Sequence, residues 1–203
     1  MKIEPFELER FFDKWEFNVE RQISASDCET MSVADLRRYM SGEPERTLDE
    51  LLLGYTEARG DPLLRKGIAS LYRGVDSEKV LVVAPEEGIF LTLNSLIDTG
   101  DHVVVMSPAY QSLFSVPRAV GAEVDRWWVE YNTETGRWWL DFERLEELLR
   151  PTTKMLIVNF PHNPTGLCLT AEEKRHIVGI AERHELILFS DEMYGGLEYA
   201  ESA

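Results

Sequence analysis

From about residue 79 onward, short β-rich runs alternate with amphipathic stretches, and this alternation constrains the fold more than any other feature of the sequence. Several of the runs are almost continuously apolar, which is typical of strands whose sheet is covered by helices on both faces. The pattern therefore predicts an α/β fold with a mostly parallel sheet. The predicted strands are Lys79–Ala84, His102–Met106, Glu123–Val129, Lys154–Asn159 and Leu186–Ser190.

Signals for the starts of helices lie between these runs. Thr170 and Glu173 have the spacing of a capping box, which predicts a helix that continues to about His184. Further helix starts are indicated by Asp61 before Pro62, by Pro85 after the first run and by Asp141. The segment 131–138 predicts an excursion from the sheet with a turn that contains glycine.

The first 47 residues differ from the rest and predict a helical N-terminal arm or small-domain segment. They contain an aromatic-rich helix around Phe11 and Trp15, a polar loop at Ser24–Glu29 and a helix begun by Ser32. Residues 48–203 are expected to form one large domain. Because the sequence stops at Ala203 with no helix to cover the last strand, we expect this domain to be truncated at its C-terminal side.

The charge balance argues against two classes of partner. Lys and Arg together number 21 against 37 Asp and Glu, so the formal net charge is −16. Such an acidic chain is a poor match for nucleic acid or for an anionic membrane surface, and we expect neither as a partner. The sequence shows neither an apolar run of about 18 residues nor a signal peptide, which predicts a cytoplasmic protein.

The sequence lacks the motifs of several common ligand-binding and catalytic sites. The motifs of dinucleotide-binding folds, P-loops, zincins and serine-hydrolase elbows are all absent. Cys28 and Cys168 lack the spacing of metal ligands, and so do the four histidines, each of which we interpret as a surface or core residue. We therefore predict no metal site.

The most informative stretch is N-F-P-H-N-P-T-G at Asn159–Gly166, directly after a predicted buried strand. Asp191 closes the next predicted strand, and Tyr194 follows it by three residues. In open α/β sheets, ligands bind at the carboxyl ends of the strands. We therefore expect the amide of Asn163, the carboxylate of Asp191 and the phenol of Tyr194 to lie at one edge of the sheet.

This stretch, followed by S-D-E-M-Y, resembles the class I and II aminotransferases, which are fold type I enzymes that use pyridoxal 5′-phosphate (PLP). G-Y-T-E-A-R-G-D-P-L-L-R-K-G-I-A at Gly54–Ala69 resembles the family's substrate-side segment, and S-P-A-Y at Ser107–Tyr110 resembles its ring-stacking segment. The resemblance covers about residues 50–200. It implies the large domain of a PLP enzyme, and the region covered corresponds to roughly the first half of such an enzyme.

The resemblance also implies roles for individual residues. Asp191 would be catalytic, because it would keep the pyridine nitrogen of PLP protonated. Asn163 and Tyr194 would hydrogen-bond the phenolic oxygen of the cofactor, Tyr194 being the second catalytic residue. Tyr110 would stack on the ring, and Tyr55 would reach the cofactor phosphate across the interface of a homodimer.

The phosphate would rest on the helix that begins near Pro85, in contact with the backbone of Glu86 and Glu87. Here the sequence A-P-E-E-G departs from the family's common small-residue pattern. A larger departure concerns the lysine that the family joins covalently to PLP. The last lysine of the sequence is Lys174, and it does not match that motif. The arginine for the substrate carboxylate and the C-terminal small domain are also missing.

The expected function is that of a PLP-dependent aminotransferase acting on an amino acid and a 2-oxo acid. Two alternatives stay open at this point. The same fold and ring contacts serve other chemistry at the α-carbon, including lyases, decarboxylases and amino-acid cyclases. The missing lysine also fits a truncated relative without catalytic activity. The loop Ser24–Glu29 has two interpretations, as a substrate loop or as a solvated loop.

Overall fold

The computed structural model describes residues 1–40, 48 and 50–199. The chain divides into two compact units. One consists of Met1–Ser26 together with the chain from Glu86 onward, and the other is Asp27–Pro85. The domain boundary predicted after residue 47 lies outside the described residues and stays a prediction.

Most of the helices begin close to the predicted signals, and helix Ser112–Val120 is the exception among those described. Both bonds of the predicted capping box are present, since Thr170 accepts from the backbone N–H of Glu173 and the Glu173 side chain accepts from that of Thr170. In the described part of the chain, no helix is long and apolar enough to cross a membrane. The α-helices span Glu7–Trp15, Val33–Tyr39, Pro62–Ala69, Pro85–Leu96, Ser112–Val120, Phe142–Leu148 and Ala171–Arg183.

The strands of the described chain span His102–Ser107 (β1), Glu123–Asn132 (β2), Arg137–Leu140 (β3), Thr153–Asn159 (β4) and Ile187–Asp191 (β5). They form one sheet in the order β3-β2-β1-β4-β5. The central strand β1 pairs in parallel with β2 and β4, and β4 pairs in parallel with β5. Among the described strands, only the pair of β2 with β3 is antiparallel. The mostly parallel sheet predicted from the sequence is thus confirmed.

Apolar side chains on both faces of this sheet pack against helices, as the continuous apolar runs predict. On one face, Val104 and Leu156 belong to a core that includes Ile177 and Ile180 of helix Ala171–Arg183. On the other face, the neighbouring strand residues pack against Leu93, Leu113 and Val116 of two other helices. Because helices cover both faces, the chemistry of the sheet is confined to the ends of its strands.

The excursion predicted at 131–138 is a β-hairpin. It joins β2 to β3 through a turn that contains Gly136, whose φ is +66°. The rings of Tyr131 and Trp138 lie opposite each other across the hairpin, with their centroids 4.9 Å apart. The aromatic residues of this segment therefore pack locally.

The strand predicted at Lys79–Ala84 is not formed. Lys79 ends a short 3-10 helix, Ser77–Lys79, and residues 80–84 belong to no helix or strand and have no partner strand in the described chain. The segment lies instead against the Arg59–Gly60 loop, where the Val82 N–H donates to the Arg59 carbonyl at 3.0 Å. Gly60 has a φ of +100°, and a Cβ there would lie 2.5 Å from Cγ2 of Val82. An apolar run becomes a strand only where another strand completes its backbone hydrogen bonds.

Arg65 also makes hydrogen bonds to this part of the chain. Its side chain is 7% exposed, and its Nε donates to the carbonyls of Ser77 and Val80 at 3.1 Å each. Its Nη2 lies 3.0 Å from the Glu78 carboxylate. Within the unit Asp27–Pro85, a buried guanidinium thus joins helix Pro62–Ala69 to residues 77–80 through bonds to backbone oxygens.

Candidate functional site

Polar side chains meet where β4 and β5 end, because parallel strands bring their carboxyl ends to the same edge of the sheet. Asn159 and Asp191 are direct partners in the register of these strands. The Asn159 side chain is 5% exposed, and its Nδ2 donates to the Asp191 carbonyl at 2.9 Å. The Phe160 N–H donates to the same carbonyl at 3.0 Å. Two donors therefore fix the backbone of Asp191.

The loop after β4 is anchored by Asn159 and His162. The Oδ1 of Asn159 accepts from the Asn163 N–H at 2.9 Å. His162 is 2% exposed, and its Nε2 lies 2.8 Å from the Pro108 carbonyl. Because a carbonyl only accepts, Nε2 carries the proton, and Nδ1 accepts from the Thr165 hydroxyl at 2.7 Å. His162 therefore ties the loop after β4 to the loop after β1.

Burial lowers the pKa of His162, and the bond to the Pro108 carbonyl opposes that shift. The neutral imidazole is thus the favoured form, in agreement with the one donor and one acceptor that its partners require. From the sequence alone, this residue is interpreted as an ordinary surface or core histidine. The only signal in the sequence was its position inside N-F-P-H-N-P-T-G.

Asp191 is half-buried at the end of β5. Burial raises the pKa of its carboxyl group, and the charge of Glu192 acts in the same direction. The Met193 N–H donates to Oδ1 at 3.1 Å and opposes the shift. A carboxylate with a raised pKa at a strand end is a good acceptor for a cationic or N–H group of a ligand.

Asn163 and Tyr194 are in direct contact. The Nδ2 of Asn163 donates to the Tyr194 hydroxyl at 3.3 Å, and this hydroxyl donates to Oγ of Ser26 at 2.8 Å. These three side chains line a cavity of about 300 Å³ that also borders His162. The predicted juxtaposition of amide and phenol is present, and Ser26 from the polar loop adds a hydroxyl that the sequence analysis did not single out.

Tyr110 follows β1 and lies beside the N-terminal segment. Its hydroxyl donates to the Glu9 carboxylate, and its ring lies nearly perpendicular to the Phe6 ring, with 6.5 Å between centroids and 88° between planes. Burial raises the pKa of Tyr110, and the hydrogen bond and charge of Glu9 raise it further. The phenol is therefore held as a neutral donor.

Glu86 and Glu87 lie in the first turn of helix Pro85–Leu96. Ala84 precedes this helix, and its methyl side chain offers no acceptor to the first N–H groups. Burial raises the pKa of Glu86, and the charges of Glu9 and Asp191 add to the shift. The Ser112 hydroxyl donates to Glu86 at 3.0 Å and opposes it.

Tyr55, the remaining predicted site residue, belongs to the unit Asp27–Pro85, and its side chain is fully exposed there. The other predicted residues all lie in the unit that contains the sheet. Among them, Asn163 and Tyr194 are hydrogen-bonded, while Glu86 is coupled electrostatically to both Asp191 and Tyr110.

The sequence matches the family model described as aminotransferase class I and II over residues 23–203. That match covers most of the chain and decides the family. The chain belongs to the class I and II aminotransferases. Its α/β fold is that of PLP-dependent members of this family, as the next comparisons show.

Solved structures of the family share this fold. A PLP-dependent aminotransferase from Streptococcus suis superposes with a TM-score of 0.84 at 34% identity, covering 95% of this chain and 52% of its own. An aminotransferase from Escherichia coli has a TM-score of 0.66 at 27% identity, with 73% of this chain and 37% of its own covered.

Curated aminotransferases of the family match at similar identity. A probable aspartate aminotransferase from Methanocaldococcus jannaschii is 28% identical over 187 residues, which are 87% of this chain and 48% of that protein. An aspartate aminotransferase from Sulfurisphaera tokodaii is 32% identical, with 74% of this chain and 39% of that protein covered. The chain thus spans about half the length, or less, of the curated relatives that it matches.

Proposed function

We propose that this protein is a PLP-dependent aminotransferase that transfers an amino group between an amino acid and a 2-oxo acid, and that it works as a homodimer. The observation that carries the proposal is the shared edge of β4 and β5. There the register pairs Asn159 with Asp191, and Asn163 bonds to Tyr194, in a chain of the aminotransferase family.

The donor set at this edge fits the cofactor. Within the described residues, the Met193 N–H is the one hydrogen-bond donor on the Asp191 carboxylate, so its second oxygen has capacity for a ring N–H. Asn163 and Tyr194 supply an amide and a hydroxyl, which suit a phenolic oxygen. When bound, PLP supplies a protonated pyridine ring that accepts the electron pair left at the substrate α-carbon.

Asp191 has the central role in this proposal, since it holds the proton on the ring nitrogen. Burial raises its pKa in the free chain, because neighbouring groups do not fully replace the hydration that the ionised carboxylate loses there. A positively charged N–H partner would compensate for that loss and favour the ionised form. The same contact would bind and orient the ring.

The remaining contacts hold the cofactor in place. Asn163 and Tyr194 stabilise negative charge on the phenolic oxygen, and Tyr110 presents its ring as a stacking surface. The backbone N–H groups of Glu86 and Glu87 receive the phosphate at the helix N-terminus, and Tyr55 reaches it from the partner subunit.

The proposal is tested with the protein in its full natural length. We expect purified wild type to bind PLP and to make a new amino acid only when a 2-oxo acid is supplied with the amino donor. Tyr194→Phe removes the hydroxyl that would stabilise the phenolic oxygen. We expect the catalytic efficiency to fall by about 10- to 100-fold, as for the loss of one hydrogen bond to a charged group. Arg144→Gln, at an exposed pair with Glu147, serves as the matched control.

Two results would contradict the proposal. Product formation that needs PLP but no 2-oxo acid would indicate a lyase, decarboxylase or cyclase instead of an aminotransferase. Failure of the wild-type protein to bind PLP would contradict the proposal that it is a PLP-dependent enzyme.

A further inference from the structure

The N-terminal segment Pro5–Glu9 lies against the loop that carries Tyr110. The side chain of Gln111 donates to the Pro5 carbonyl at 3.0 Å and accepts from the Glu7 N–H at 3.0 Å. These bonds join residues that are more than 100 positions apart in the sequence. They hold the first turn of helix Glu7–Trp15 beside the end of β1.

This placement brings two side chains onto Tyr110. The Glu9 carboxylate accepts from the phenol, and the Phe6 ring packs nearly perpendicular to the tyrosine ring. A hydrogen bond at the far end of the ring and an aromatic contact at its side restrict both side-chain torsions of a tyrosine. Hydrogen bonds to carboxylates are also stronger than those between neutral groups.

Burial and the neighbouring charges keep the Tyr110 phenol protonated. Burial raises the pKa of Tyr110, and both Glu9 and Glu86 raise it further because their charges disfavour a phenolate. The phenol therefore stays protonated, which it must be to donate to Glu9.

We infer that Glu9 is a positioning residue of the cofactor site, which holds the Tyr110 ring in the orientation that stacks on the cofactor. The inference rests on the proposed function, because it takes Tyr110 as the stacking residue. The contact of Ser26 with Tyr194 supports it, since the same N-terminal stretch also touches a second side chain of the site. Glu9 acts through Tyr110 and needs no contact with the cofactor itself.

The experiment compares Glu9→Ala, Glu9→Gln and Glu7→Ala in the full-length protein. Glu7→Ala is the matched control because Glu7 is the other acidic residue of the same first turn, and only its backbone N–H contacts Gln111. The first readout is the ionisation of Tyr110, followed by tyrosinate absorbance as the difference between each variant and the same variant with Tyr110→Phe. The second readout is the dissociation constant of PLP.

We expect Glu9→Ala to lower the pKa of Tyr110 towards its ordinary value near 10 and to weaken PLP binding by about 3- to 10-fold, as for one lost hydrogen bond. Glu9→Gln keeps an acceptor without the charge and should restore part of the binding. Glu7→Ala should change neither readout.

Three outcomes would overturn the inference. An unchanged pKa of Tyr110 in Glu9→Ala would show that the bond is absent in solution. A lowered pKa with unchanged PLP affinity would show that the bond has no influence on the cofactor, and would leave the proposed function untouched. A wild-type protein that binds no PLP would overturn the proposed function, and this inference would fall with it.

Discussion

At the scale of single residues, Asp191 combines a position in the candidate site with an environment that disfavours its ionised form. Its carboxyl group is half-buried, its pKa is raised mainly by burial, and a single backbone N–H partly offsets the shift. The folded chain therefore holds a proton on Asp191 more readily than the unfolded chain does. Such an arrangement lowers the stability of the free protein at neutral pH, where the carboxyl must ionise.

Replacement of this carboxyl should make the effect measurable. We expect the unfolding free energy of the wild type to fall relative to Asp191→Asn as pH rises from the ordinary pKa of aspartate, near 4, through the raised pKa of the folded state. Below that window the two proteins should keep a constant difference. Urea denaturation at a series of pH values without PLP provides the measurement.

Glu134→Gln is the control for this comparison, because Glu134 lies exposed in the β2–β3 turn. Its difference from the wild type should stay constant over the same pH window. A difference in unfolding free energy between wild type and Asp191→Asn that stays constant with pH would contradict a raised pKa of Asp191 in the folded protein.

At the scale of secondary-structure elements, two helices begin with a complete capping box but differ in what they bury. Helix Ala171–Arg183 starts at Thr170 and buries Ile177, Ile180 and Ala181 in the core of the sheet. Helix Val33–Tyr39 starts at Ser32 and buries none of its residues. The local signal is the same, so the effect of each cap on global stability depends on packing.

We expect Thr170→Ala to lower the free energy of unfolding by about 1 kcal/mol, the usual cost of a lost N-cap. Ser32→Ala should leave it unchanged to within about 0.5 kcal/mol, because fraying of a helix without buried side chains does not expose the core. Urea denaturation followed by tryptophan fluorescence measures both. Equal losses in the two variants would show that the helix Val33–Tyr39 unfolds together with the core.

One helix lacks a readable signal in the sequence. Helix Ser112–Val120 contains Pro117, and Gln111 at its N-cap makes no capping bond with its side chain. Proline removes a backbone donor inside a helix and normally argues against one. The helix forms because Leu113 and Val116 are buried against the sheet, and Gly121 ends it with a φ of +107°. Tertiary packing thus outweighs the local preference.

At the scale of the whole molecule, burial is distributed unevenly between the two units. Strands β1 and β4 are almost completely buried. Among the described residues of the unit Asp27–Pro85, the buried side chains are those of Arg65, Ala69 and Val80. Regions with few buried apolar side chains open at a low free-energy cost.

Hydrogen exchange should reflect this contrast. We expect the amides of β1 and β4 to exchange only through global unfolding, and those of residues 50–58 to exchange fastest among the described residues. Mass spectrometry of peptides after exchange in deuterated buffer provides the measurement. Comparable protection of residues 50–58 and of β1 would show that the unit Asp27–Pro85 has stabilising interactions besides the packing of its own buried residues.

The sequence by itself determined the α/β alternation, most helix starts and the presence of Asn163, Asp191 and Tyr194 at the ends of β4 and β5. These features depend on local periodicity, caps and the order of the strands. Asn163, Asp191 and Tyr194 were therefore identified before the structure, although their roles stay predictions. Their hydrogen-bond partners were not.

Only the tertiary structure decided which distant groups meet. His162 bonds to Pro108, Tyr110 bonds to Glu9 and Tyr194 bonds to Ser26, each across a long sequence separation. The apolar run at residues 80–84 likewise has no partner strand in the described chain, and Val82 bonds to the Arg59 carbonyl instead. A side chain or strand acquires its partner from the packing of the whole chain, and local sequence patterns contain no information about that partner.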